Sequence, residues 1–478
     1  MSVVEEDLFI GGRWVPASSG ETFEVTDPAT DEVIGRVADA SAADGLTALD
    51  AAQNAGPDWA ATPPRERGEV LRRAFELMGE RREDLARTIT TEMGKSLDEA
   101  RGEVDYAAEF LRWFAEEAVR ANGNLVTAPG GQYRMLTRMQ PVGVSLLVTP
   151  WNFPAAMATR KIGPALAAGC TTILKPASAT PLTAFALARV FADAGVPDGV
   201  VNVVSTSSSG ALTEPLLADP RLRKLSFTGS TEVGRALLHQ AADQVLRTSM
   251  ELGGNAPFLV LADADLDVAV EAAVVAKLRN IGQSCVAANR FHVHRSLAEE
   301  FAERLAEKFA AQRVGHGLDD GVQLGSLINT KARDEVLELI RDATDRGARL
   351  LTGGEPVGDR GACLSPAVLV DVPADARCVQ EEIFGPVAPV VAFDDPDEAV
   401  SVANGTIFGL VGYVIGGDLQ QALSVAERLE VGMVGINRGV VSDPAAPFGG
   451  WKQSGLGREG GHEGLLEYLE TKYIAAQW

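Results

Sequence analysis

A chain of 478 residues has room for two to four domains with large cores, at about one domain per 100–200 residues. Its 46% hydrophobic and 23% charged residues, with 49 glycines, are those of an ordinary soluble globular protein rich in turns. The net charge of −23, from 66 acidic against 43 basic residues, repels polyanions, which argues against nucleic acid as a partner and favours small diffusing ligands.

The opening MSVVEEDLFIGGRW lacks a basic stretch followed by a long apolar run, so it does not read as a secretory signal. The apolar runs are too short, or too often interrupted by Gly and charge, to span a membrane. Ser41 and Asp44 have capping-box spacing and predict a helix to about Asn54. Residues 65–89 carry Val70, Leu71, Ala74, Phe75, Met78, Leu85 and Ile89 at helical spacing among many charges, which predicts one amphipathic surface helix. Segment 123–141 fits no core pattern and reads as an extended arm. Segment 468–475, near the end of the chain, reads the same way. Arms of this kind pair across subunits, so a homo-oligomer, dimer or tetramer, is expected.

From residue 142 the period changes. Short β-rich runs at 142–148, 171–174, 200–204, 224–227 and 258–261 alternate with helical stretches. One stretch, 181–194, has Thr180 as its N-cap, Pro181 in its first turn, Gly195 after its end and Pro197 beyond. This alternation predicts parallel βαβ units and an open α/β sheet with ligands at the carboxyl ends of its strands. A second α/β block follows, with helices at 298–312 and 331–346 and strands at 387–393, 410–415 and 431–436.

The four cysteines, Cys170, Cys285, Cys363 and Cys378, lie far apart and form no CxxC pair. That argues against a disulfide framework or a zinc site and suits a reducing cytoplasm. Cys285 stands in GQSC, after a helix expected at 267–280 and after Gly282, and so in a loop. A lone cysteine is more often a small buried hydrophobe than a nucleophile, and both readings stay open on these residues alone.

Other loops carry complementary chemistry. In WNFP at 151–154, the Asn152 amide could donate to an oxyanion beside the Cys285 N–H, or could simply form a turn. In LKPAS at 174–178, Lys175 can bind ribose hydroxyls, and the small neutral Ser178 admits a 2′-phosphate that a Glu would repel. FTGSTEVG at 227–234 runs from a strand into a helix, where N–H groups and the helix dipole favour phosphate. Glu251 in MELGG could take a proton from water if burial raises its pKa. In EEIFGP at 381–386 a carboxylate could bind a ribose while the ring of Phe384 braces a nicotinamide. His292 and His294 have no acidic or sulfur ligand beside them and read as structural. No HExxH or GxSxG motif occurs, so no metal is expected and a serine hydrolase has little support.

Together and in this order, WNFP, LKPAS, FTGSTEVG, ELGG, GQSC and EEIFGP resemble the signature set of the NAD(P)-dependent aldehyde dehydrogenase superfamily, over nearly the whole chain. The resemblance implies an α/β fold. A Rossmann-like cofactor domain would take residues 1–122 and 142–253, and an α/β catalytic domain 254–450. A small β oligomerisation element would come from arms 123–141 and 451–478. It implies that Cys285 attacks an aldehyde, that Asn152 holds the thiohemiacetal oxyanion, and that Glu251 activates water against a thioester. Trp151, Lys175, Ser178, Gly229, Ser230, Leu252, Glu382 and Phe384 would bind the cofactor.

The runs at 155–170 and 448–460 are similar to those of succinate-semialdehyde dehydrogenases. There two arginines and a serine bind the substrate's free carboxylate; they map onto Arg160, Arg279 and Ser442, and a guanidinium fork matches carboxylate geometry. The implied reaction is oxidation of succinate semialdehyde, with glutarate semialdehyde or another aldehyde as the alternative. Ser178 points to NADP in preference to NAD. Two departures stand out. Ala287 occupies the place of a second cysteine found in some relatives, so no local disulfide switch is expected. Arg438 replaces a small or acidic residue; at the cavity entrance it would attract anions and alter the chain length accepted.

Overall fold

The computed structural model describes residues 4–478, and two large sheets organise it. The first has eight strands, in the spatial order Gly455–Leu456, Arg247–Glu251, Leu222–Thr228, Val144–Val148, Thr172–Lys175, Val201–Val203, Leu8–Ile10 and Arg13–Val15. Its five central strands run parallel. Val144–Val148 is buried at every position, as a strand covered on both faces must be. It is also where the strand order reverses, because the next strands in the chain lie on one side and the later ones on the other. Such a switch point opens a crevice beyond the carboxyl ends. Register aligns those ends: Val148 pairs with Lys175, Phe227 with Val148, and Thr228 with Glu251. Four of the sequence motifs therefore leave the sheet along one edge.

The second sheet has seven strands, in the order Arg349–Thr352, Ala367–Val370, Val387–Phe393, Ala288–His294, Ala256–Val260, Val411–Ile415 and Met433–Ile436. All but the first run parallel. Leu469–Ala476, Arg134–Pro141 and Leu125–Thr127 form a separate antiparallel sheet within the chain. Residues 451–468, assigned from sequence to the C-terminal arm, lie elsewhere. Trp451–Lys452 pairs with Phe408–Gly409, and Gly455–Leu456 closes the edge of the eight-stranded sheet. Among the described residues no helix is long and apolar enough to cross a membrane.

Several helix boundaries differ from expectation. The Ser41–Asp44 capping box is formed, but its helix continues through Pro57 to Ala61, anchored past the proline by buried Trp59. The single helix expected at 65–89 is two, Pro64–Glu80 and Arg82–Met93, turning at Arg81 so that both keep apolar faces against Leu97–Glu117. Thr180 precedes Pro181–Asp193 yet makes no side-chain cap. Buried Glu92 accepts the Leu182 and Thr183 N–H groups instead, at 2.8 and 2.9 Å. Glu103 likewise accepts the N–H of Ala155 at 2.9 Å, at the start of the wholly buried helix Pro154–Ala168.

Candidate active site

Between the carboxyl ends of the two sheets lies a cavity of about 240 Å3. It brings Trp151, Asn152, Arg160, Gly229, Ser230, Leu252, Arg279, Cys285, Glu382, Phe384 and Ser442 to one wall-to-wall space. The cysteine arrives there by an unusual turn. Helix Leu266–Leu278 stops, and Asn280, Ile281 and Gly282 follow with φ of +55°, +60° and +75°. Left-handed conformations at the two non-glycine residues cost about 1–3 kcal/mol each, so the surroundings must hold them. Amides do so. The Asn280 side chain donates to the carbonyls of Asn152 and Gln283 at 3.0 and 2.9 Å. Asn152 Nδ2 donates to the same Gln283 carbonyl at 3.0 Å, which uses one of its two hydrogens and leaves the other for a ligand. Below them the buried Lys95–Glu103 ion pair supports the turn, with Lys95 Nζ donating to the Asn152 carbonyl at 2.9 Å.

Cys285 is partly exposed to the cavity, and its backbone N–H donates to no group among the described residues. Burial, followed by the charge of Glu382, pushes its thiol up to about 12, while Arg160 opposes the shift. The resting thiol is therefore protonated and sheds its proton as it attacks. Glu251, 2% exposed, has no hydrogen-bond partner for either carboxylate oxygen among the described residues. Burial and then the neighbouring Glu459 raise its pKa well above the ordinary carboxyl range, against the pull of Lys161 and Arg160. It does not itself line the cavity, whereas its neighbours Leu252 and Gly253 do.

On the other side, the rings of Trp151 and Phe384 meet edge to face, 5.5 Å apart at 87°. Glu382 Oε1 accepts the Gly254 N–H at 3.1 Å. The Gly229 N–H donates to the Glu251 carbonyl at 3.0 Å, and Ser230 Oγ caps the helix Thr231–Ala242 by accepting from Val233 at 3.3 Å. Lys175 and Ser178 lie outside the cavity wall, further along the same sheet edge. Lys175 Nζ donates to Ser209 Oγ at 2.6 Å and has no carboxylate partner among the described residues; burial lowers its ammonium to about 8. A buried ammonium without an anion, next to exposed Ser178, fits a ligand that brings hydroxyls or a phosphate. Thr228 Oγ1, buried and unpartnered on the cavity wall, fits a polar ligand too.

The sequence profile described as the Aldehyde dehydrogenase family matches residues 14–474. The chain belongs to the aldehyde dehydrogenase family. A succinate-semialdehyde dehydrogenase of Paenarthrobacter nicotinovorans is 54% identical over 92% of this chain and 98% of its own. A glutarate-semialdehyde dehydrogenase of Pseudomonas putida is 50% identical over 98% of this chain and 97% of its own. The crystal structure of an E. coli NADP dependent enzyme, 49% identical, superposes with a TM-score of 0.98 over 99% of this chain and 98% of that one.

In this aldehyde dehydrogenase the two arginines expected to hold a carboxylate are not equivalent. Arg160, 2% exposed, is already engaged: it donates to the Tyr106 hydroxyl at 2.9 Å, faces Glu459 at 3.4 Å and stacks 4.2 Å from the Phe448 ring. Arg279 has no carboxylate partner among the described residues and sits 5.2 and 5.6 Å from the rings of Phe153 and Tyr106. Arg438 does not line the cavity; it borders a separate depression beyond Val441 and Phe448. His292 is buried, and burial with nearby Arg290 pushes it down to about 3, so it is neutral. No cluster of metal-ligating side chains occurs among the described residues. Sequence reasoning missed Tyr106, Phe153, Phe448, Lys161 and Glu459. The available signal was charge on an apolar helix: Lys161 stands in a stretch that is otherwise almost uncharged.

Proposed function

We propose that the protein oxidises succinate semialdehyde to succinate, with NADP preferred over NAD. The observation that carries this reading is Arg279, a guanidinium with no salt bridge among the described residues, lining the same cavity as Cys285 and Ser442. A guanidinium so placed needs an anion, and a carboxylate at the far end of the aldehyde supplies it. The relative that acts on glutarate semialdehyde supports the one-carbon-longer substrate as a second reading.

Cys285 Sγ attacks the aldehyde carbon, and as the C–S bond forms the thiol proton passes to solvent water, leaving the oxyanion on the former carbonyl oxygen. The second Asn152 Nδ2 hydrogen and the Cys285 N–H meet the oxyanion. The nicotinamide, when bound, supplies the two-electron oxidant by accepting the hydride. That loss leaves a thioester on Cys285. Glu251, its pKa raised by burial and by Glu459, takes a proton from water when ionised; the hydroxide adds to the thioester carbonyl, the C–S bond breaks, the proton on Glu251 passes to the leaving sulfur, and the acid loses its own proton to solvent, giving succinate and the free thiol. Trp151, Leu252 and Phe384 would hold the nicotinamide end, Glu382 its ribose hydroxyls, Gly229 and Ser230 the pyrophosphate, and Lys175 with Ser178 the adenosine ribose and its 2′-phosphate.

In the same reading the eight-stranded body binds cofactor, the seven-stranded body carries the nucleophile, and the three-stranded sheet pairs subunits into a dimer or tetramer. Four free cysteines suit a cytoplasmic setting. Initial rates with succinate semialdehyde, glutarate semialdehyde and butyraldehyde, each with NADP and NAD, test the assignment. The highest kcat/KM falls to succinate semialdehyde with NADP. Equal rates with butyraldehyde would remove the carboxylate from the substrate.

A further inference from the structure

The helix Leu266–Leu278 carries Lys277 on its buried face, wholly enclosed at 0% exposure. Its Nζ donates to Asn289 Oδ1 at 3.0 Å and to the Ile383 carbonyl at 3.4 Å. Asn289 Nδ2 donates to the Gly254 carbonyl at 3.5 Å. The Gly254 N–H in turn donates to Glu382 Oε1. Because Glu382 and Ile383 are adjacent, these bonds close a circuit through four segments of chain. Both glycines of the ELGG turn are needed for it. A Cβ on Gly254 would lie 2.5 Å from the Cys285 carbonyl oxygen, and one on Gly253 would lie 2.9 Å from Glu382 Oε2.

Taking Glu382 as the ribose ligand proposed for this site, we infer that Lys277 is a positioning residue for cofactor binding. Its ammonium fixes the segment 382–384 and keeps the Glu382 carboxylate ionised. Removing Lys277 alone leaves the buried Asn289 Oδ1 and Ile383 carbonyl without their donor and destabilises the fold. A role confined to stability therefore lowers the melting temperature without moving the pH at which cofactor affinity changes.

Electrostatics points the same way. Burial pushes the Glu382 carboxyl up to about 7, and the Gly254 N–H and Lys277 hold it down. Burial pushes the Lys277 ammonium down to about 7, against Glu382 and Cys378. The other titratable groups facing this pair are the thiols of Cys285 and Cys378, raised to about 12 and about 11 and so uncharged at neutral pH. Lys277 is thus the cation that acts on Glu382. Without it the carboxyl protonates at higher pH and can no longer accept two hydroxyl hydrogen bonds.

The test is NADPH binding, read by cofactor fluorescence from mildly acidic to mildly alkaline pH, in the wild type, Glu382→Gln, Lys277→Met and Lys277→Gln. In the wild type, affinity falls as pH drops through about 7, the value at which Glu382 protonates. Glu382→Gln weakens binding and removes the inflection. Lys277→Met weakens binding about tenfold at neutral pH, the difference between a charged and a neutral acceptor, and moves the inflection upward. Lys277→Gln keeps a donor without the charge; its inflection also moves up, with affinity recovering at alkaline pH. It carries the test if the Met variant fails to fold. Unchanged affinity and inflection in the Lys277 variants, with Glu382→Gln impaired, would overturn the role of Lys277 alone. Unimpaired Glu382→Gln would overturn the ribose assignment and this role with it.

Discussion

Replacing Arg279 by Met separates recognition of the substrate's charge from the chemistry at Cys285. The side chain lies between the rings of Phe153 and Tyr106, and a Met of similar stem length keeps that packing. Arg279 forms no salt bridge among the described residues, but its charge helps to hold half-buried Glu99 ionised, which is why the comparison needs a folding control. What is lost is the charge-assisted bond to the substrate carboxylate, worth about 1.5–3 kcal/mol, or roughly 10–150-fold in kcat/KM for succinate semialdehyde. Butyraldehyde has a methyl group in place of the carboxylate and is oxidised at the wild-type rate. Arg160 does not substitute, because Glu459, Tyr106 and Phe448 already hold it. Steady-state rates on the two aldehydes, with thermal melting as a folding control, give the comparison. Equal losses on both substrates would refute the carboxylate clamp and leave Arg279 a structural charge.

Three further outcomes follow from the geometry. Ser178→Glu sets a carboxylate against the 2′-phosphate; like charges about 4 Å apart repel by roughly 1–4 kcal/mol, so kcat/KM for NADP falls about fivefold or more. The rate with NAD holds, and loss with both cofactors would contradict the placement. Gly282→Ala puts a Cβ 2.3 Å from the Gly385 carbonyl oxygen at a φ of +75°. It costs more than about 1 kcal/mol and lowers melting temperature and activity together, and an unchanged melt would count against this turn. For pH, Glu251 accepts a proton only when ionised, and burial and Glu459 raise its pKa, so thioester hydrolysis accelerates as pH rises through that raised pKa, above the ordinary carboxyl range. Glu251→Gln makes that step slow, by about 10²–10⁴-fold, and independent of pH.

Much of this site was legible because parallel strands gather their carboxyl ends. WNFP, LKPAS, FTGSTEVG and ELGG each follow a strand, and Val148, Lys175, Thr228 and Glu251 stand in register along one edge. Turn chemistry was legible as well, since Gly282 announces a loop before Cys285. Buried charge was not. Glu103 and Lys277 sit on helices whose charged residues ordinarily face water, Lys95 sits in the link before Leu97–Glu117, and the groups that Glu103 and Lys277 bind lie on other elements. Lys161 and Glu459 are 298 residues apart. The inequality of Arg160 and Arg279 depends on the same distant partner, Glu459. The break at Arg81 escaped because apolar residues keep helical spacing on both sides of it, and only packing on Leu97–Glu117 requires the turn. Thr180 looked like a cap because of its position, whereas the actual cap, Glu92, comes from another helix.

The central claim is that Cys285 becomes a succinyl thioester. Glu251→Gln, mixed with succinate semialdehyde and NADP, should form NADPH once and then stall, because hydride loss precedes the step that needs the base. Intact mass and peptide mapping should then find one succinyl group per chain on the peptide that contains Cys285. Steady turnover without an adduct, or an adduct on a different residue, would contradict the account.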